Sequence, residues 1–134
     1  MKLVYPACFY KEKEGGYSVV VPDLLGCCTQ GESLEEAIQM AQDAALGWLL
    51  TTVEANEELP KATDIKSIKL ENEDGFVSLM LLDLGAYSAK YGKRKSVKKT
   101  LSIPVWLNER AEKMQINFSK TLQDALFEKV MRIK

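Results

Sequence analysis

Few residue types in this chain of 134 can do covalent or metal chemistry. It has no histidine, so neither a Ser-His-Asp or Cys-His nucleophile pair nor a histidine zinc site can be assembled. Its three cysteines are Cys8, Cys27 and Cys28. An odd number with two adjacent does not make a disulfide framework, and three thiols alone make a poor metal site. They read as small buried hydrophobes. The chemistry that remains is recognition. Near the C-terminus Lys98, Thr100 and Ser102 alternate with Leu101 and Ile103, behind the basic run Lys93-Arg94-Lys95. On a strand, alternation puts the polar set on one side and the apolar set on the other. A pair of such strands fits the major groove of DNA, where lysine and hydroxyl groups reach base edges. The plainer alternative is a solvent-facing edge strand.

The elements that must position these residues fall into two groups. Residues 2–10 are apolar and aromatic and predict a strand. Gly15-Gly16 turn the chain, and residues 17–21 predict a second strand, which makes a hairpin. Pro22-Asp23 break it, and residues 24–30 predict a short third strand ended by Gly31. Ser33 and Glu36 match a capping box. Behind them Leu34, Ala37, Ile38, Ala41, Ala45, Trp48, Leu49 and Thr52 recur at helical spacing, predicting a helix to about Glu54. Residues 56–64 read as a loop, 65–70 as a short extended piece and 71–75 as a turn. The apolar run 76–84 predicts a strand buried on both faces, hence central in its sheet. Residues 85–92 read as a connector. The order β-β-β-α-β describes an α+β domain over residues 1–90, one long helix on one sheet.

Residues 91–134 predict a second, smaller domain. A strand at 97–103 is stopped by Pro104, which suits the first turn of a helix running to about Gln115. Asn117 is a good N-cap for a second helix with the stripe Leu122, Ala125, Leu126, Val130 and Ile133. About 38 residues rarely build a sufficient core alone. A lone strand also has nothing to pair with inside its module, and a second copy supplies the partner. Leu101, Ile103, Leu122 and Leu126 are therefore the expected dimer core; dimer against tetramer stays open. Ser119 and Lys120 open the last helix, where free N–H groups either hold a phosphate oxygen or are simply capped.

Charge divides the same way. Residues 1–92 hold 7 Lys and Arg against 15 Asp and Glu, a net −8; residues 93–134 hold 11 against 4, a net +7. Such asymmetry suggests two partners of opposite charge, with nucleic acid on the basic side and a basic protein on the acidic side. No apolar run reaches the ~18–20 residues of a membrane span, and the first residues have no signal-peptide pattern. A cytoplasmic protein with no membrane partner is expected.

The stretch Tyr5-Pro6-Ala7, Gly16-Tyr17, Pro22-Asp23-Leu24-Leu25-Gly26-Cys27, Thr29-Gln30-Gly31 and Leu34-Glu35-Glu36-Ala37 resembles HicB-type antitoxins. The stretch from Ser96 to Asn108, with Asn117-Phe118-Ser119, resembles the ribbon-helix-helix variant of that family. The resemblance covers nearly the whole chain, in the family's order. It implies a first domain with a partial RNase H-like fold that inhibits a HicA-type toxin, an mRNA-cleaving ribonuclease. It implies a second domain that binds operator double-stranded DNA, dimerises and represses the toxin–antitoxin operon. Toxin-contacting residues are not implied by it. Leu25 stands where the family usually has a second proline, which leaves that loop less rigid. Lys99 stands where strict alternation wants an apolar residue, so a paired ribbon is expected to be firm only from Thr100. RNase H-like folds can carry Mg²⁺-binding carboxylates, and Asp23, Asp74 and Asp83 are the candidates. Asp23 and Asp74 sit in turns, where aspartate has a local hydrogen-bonding use, and no spacing aims the three at one site. The expectation is therefore no enzyme, no cofactor and no metal. The competing reading is a stand-alone ribbon-helix-helix repressor without a toxin.

Overall fold

The computed structural model describes residues 2–92 and 97–131. Lys93-Arg94-Lys95, Ser96 and Ile133, all used in the sequence reading, lie outside the described residues. The chain divides into two compact units, Lys2–Gly92 and the C-terminal segment that follows.

The first unit is built on strands β1 (Lys2–Lys11), β2 (Tyr17–Val20), β3 (Cys28–Gly31) and β4 (Phe76–Asp83). They form one antiparallel sheet in the order β3-β2-β1-β4. Helix α1 (Leu34–Glu54) packs on the sheet, and α2 (Leu84–Tyr91) follows β4. The capping box forms as the sequence predicts: Ser33 Oγ accepts from Glu36 N at 3.1 Å, and Glu36 Oε1 accepts from Glu32 N at 3.3 Å. Ala37, Ala41, Ala45 and Leu49 bury the α1 stripe against Tyr5, Ala7, Phe9, Val19 and Leu82. Leu34 and Ile38, at the same helical spacing, are only half covered. The alanines let helix and sheet approach closely. At the entry to α1 the approach is closer still: a Cβ on Gly31 would strike the backbone of Ala37. Only glycine fits there.

Four expectations need correction. First, β4 is not central; it is an edge strand, and β1 and β2 lie inside. Its Met80 and Leu82 face α1, while Leu79 and Leu81 are 54% and 57% exposed. An unbroken apolar run does not distinguish a strand covered on both faces from one covered on one. Second, the connector is helix α2. Asp83 Oδ1 accepts from Ala86 N at 3.0 Å, Leu84 is buried, and Tyr87 stacks at a tilt on Tyr91 one turn later. Third, the third strand is shorter than residues 24–30. Residues 21–27 form linked turns instead, with Leu24 N donating to the Val21 carbonyl, Cys27 N to that of Leu24, and Gly26 at φ +81°. Fourth, residues 65–70 hold a 3₁₀ turn (Ile65–Ser67), opened by Asp64, whose carboxylate accepts from Lys66 N at 2.9 Å.

The second unit contains α3 (Val105–Lys113) and α4 (Phe118–Met131). Pro104 occupies the N-cap position just before α3 rather than its first turn, and Met114 closes the helix. Asn117 caps α4: its Oδ1 accepts from Lys120 N at 3.0 Å. Residues 97–103 form no strand within the single chain. Neither α3 nor α4 has a buried residue.

Candidate functional site

Two of the three nominated carboxylates, Asp23 and Asp83, are tied up in structure. Asp23 accepts from the backbone N of Thr63 at 2.9 Å and from its hydroxyl, pinning the long loop after α1 to the turn before β3. Asp83 caps α2. Asp74 lies in the turn before β4, its own N–H donating to Asn72 Oδ1. Each has an address of its own, and the three form no site. Among the described residues no group of three or more Cys, Asp or Glu is placed to hold a metal ion.

Cys8 and Cys27 are buried as expected, and burial pushes both thiols above their ordinary pKa. At Cys8 a hydrogen bond with Tyr10 opposes part of that rise, and the charges of Glu71 and Asp23 add to it. Cys28 departs from the expectation, because its thiol is exposed. It borders a shallow cleft between the turns of residues 24–28 and α1, which Asp43, Trp48, Thr51 and Thr52 also line. Trp48 was expected in the core stripe. Instead it is half-buried, and its Nε1–H donates to the Leu25 carbonyl at 3.0 Å. Leu25, 89% exposed, projects from the same turn. The helical spacing of Trp48 matched the core stripe so well that only its lone polar hydrogen hinted at another use.

In the second unit Lys98, Thr100 and Ser102 are exposed, as are Leu101 (61%), Ile103 and Leu126, while Leu122 is half-covered. The expected dimer core is therefore uncovered in the single chain. At the start of α4 the alternatives divide. The Lys120 N–H is taken by the Asn117 cap, its ammonium lies 3.8 Å from Asp124, and Ser119 Oγ accepts from Gln123.

The chain thus carries two units of opposite charge, with apolar side chains left open on the smaller one. Residues 5–129 match the family model of the HicB-like antitoxin of bacterial toxin–antitoxin systems, and the chain belongs to that family. An uncharacterised 14.9 kDa protein of Haemophilus phage HP1 is 31% identical over 112 residues, 82% of this chain and 80% of its own length. A chain of a toxin–antitoxin complex from Streptococcus pneumoniae superposes with a TM-score of 0.61 at 32% identity, covering 96% of this chain and 99% of that one. The antitoxin HicB of Burkholderia pseudomallei shares the fold, with a TM-score of 0.61 at 23% identity over 94% of this chain and 97% of its own. Antitoxins of this family are not enzymes. Among the described residues no helix is long and apolar enough to cross a membrane.

Proposed function

We propose that the first unit, a partial RNase H-like domain, binds and inhibits a HicA-type mRNA-cleaving toxin, and that the second unit is a ribbon-helix-helix domain that binds operator DNA and represses the operon. The observation that carries the reading is the segregation of charge. The acidic and basic halves, −8 and +7, change sign where the two structural units divide. An acidic surface steers a basic ribonuclease into contact, and covering it excludes its mRNA substrate without catalysis by the antitoxin. The basic unit needs a partner strand before it can read DNA. Two copies of residues 97–103, paired antiparallel, turn Leu101 and Ile103 inward against α3 and α4 and present Lys98, Thr100 and Ser102 to the major groove. A dimer follows from this, in the cytoplasm where the operator and mRNA are.

The purified full chain, added to a cognate HicA-type toxin, should stop its RNA cleavage. The same chain should shift operator DNA with an affinity that falls steeply with salt, as phosphate contacts release counterions. A Thr100→Ala, Ser102→Ala double variant should lose about 1–3 kcal/mol of operator binding per base contact removed. Its toxin inhibition should be unchanged. Unaltered operator affinity in that variant contradicts the ribbon assignment, and operator binding without toxin inhibition favours a stand-alone repressor.

A further inference from the structure

The cleft beside α1 has a hydrogen-bonding pattern that selects its ligand. Trp48 gives its one N–H to the Leu25 carbonyl, which also fixes the indole plane. The Thr51 hydroxyl donates to the Gly47 carbonyl and the Thr52 hydroxyl to that of Trp48, each at 2.9 Å. Both oxygens then have only lone pairs to offer. Asp43 accepts only, and among the described residues it has no hydrogen-bond or ion-pair partner. Gly47 puts no side chain into the cleft. The side-chain oxygens here, those of Asp43, Thr51 and Thr52, are thus acceptors, one group of them charged, around a fixed aromatic ring whose N–H is already used.

The complement of that set is a guanidinium. It is planar, carries five N–H donors and no acceptor, and stacks on indole faces. A phosphate or carboxylate would meet Asp43 and find no hydroxyl or N–H side-chain donor. The surrounding unit, at net −8, favours a cation as well. We infer that this cleft receives an arginine side chain of the basic toxin, an assignment that rests on the antitoxin reading above. Asp43 pairs with the charge, the threonine oxygens take the remaining N–H groups, and Trp48 holds the plane. Basic residues are what an mRNA-binding surface must carry, so engaging one competes directly with substrate.

The test uses the ¹⁵N-labelled full chain and N-acetyl-arginine methylamide as probe, following the Trp48 indole N–H resonance, assigned with a Trp48→Phe variant. The inference expects a saturable shift with the arginine probe, none with N-acetyl-glutamate, and about tenfold weaker binding in Asp43→Asn. Because Asp43 is exposed, that variant keeps its fold, which the retained Trp48 resonance verifies. The same variant should bind the toxin about tenfold more weakly, equivalent to about 1.4 kcal/mol. No saturable shift, or an undiminished one in Asp43→Asn, overturns the inference. A wild-type chain that binds no toxin overturns the antitoxin reading and with it the named occupant. An Asp43→Asn chain that binds toxin as tightly as the wild type overturns only the cleft assignment.

Discussion

Replacing Leu101 by Asp separates two accounts of the C-terminal unit, because the substitution is nearly silent in one and disruptive in the other. In the single chain Leu101 is 61% exposed and belongs to no strand. If the unit acted as a monomer, exchanging one exposed side chain for another would change stability by no more than about 0.5 kcal/mol. If two copies pair through residues 97–103, each Leu101 is withdrawn from water. Full burial of a leucine is worth about 1.5–3 kcal/mol. Symmetry makes every substitution double, so the loss is roughly 3–6 kcal/mol per dimer from the same transfer scale. The uncompensated desolvation of two carboxylates adds to it. At about 1.4 kcal/mol per factor of ten, the dimer dissociation constant rises at least about a hundredfold. Sedimentation velocity over a concentration series reads this directly. The thermal transition of the first unit, which contains none of the altered residues, should not move. A Leu101→Asp chain as dimeric as the wild type would show that another surface joins the copies and that residues 97–103 are not a shared ribbon.

Gly31→Ala should destabilise the first unit by about 1–3 kcal/mol, the usual cost of overpacking, because the added methyl meets the Ala37 backbone, which cannot rotate away. Each kcal/mol lowers Tm by about 4–8 °C in a unit of this size, and differential scanning calorimetry measures it; an unchanged transition would mean the helix entry is looser than the geometry shows. Thiol titration of the native chain should find one fast group, exposed Cys28, and three in denaturant, since Cys8 and Cys27 are buried with raised pKa values. The same raised values fix the sign of a pH effect. The stabilisation from keeping Cys8 and Cys27 neutral is complete below the unfolded thiol range and is lost as pH rises through the folded values, so stability in urea should decline on the alkaline side. Stability that rises there would contradict the burial of these thiols.

The parts of the fold legible in sequence were those whose partners lie nearby. The hairpin of β1 and β2 and the capped start of α1 announce themselves in apolar and aromatic runs, a Gly-Gly turn and the Ser33–Glu36 box. What escaped depends on distant neighbours. The place of β4 at the edge is set by which strand it meets, and its apolar run is silent about that. Helix α2 was hidden by the glycines at 85 and 92, although the cap that starts it, Asp83, was in view as a carboxylate considered and set aside as a metal ligand. Residues 97–103 have strand alternation, yet a strand is a property of a pair, and in the single chain they meet no partner strand. Of the site, sequence showed the polarity and the charge division. It could not show that Trp48 turns from the core to the Leu25 carbonyl, because that turn depends on a 23-residue separation closing in space.

The claim at the centre is that inhibition and DNA binding belong to different units, and dissection tests it most directly. A fragment of residues 1–92, which retains α2 and its packing on α1, is added to the active toxin in an RNA-cleavage assay and to operator DNA in a mobility-shift assay. The account predicts that cleavage stops and the DNA does not shift. A folded fragment that leaves the toxin cutting RNA would contradict it.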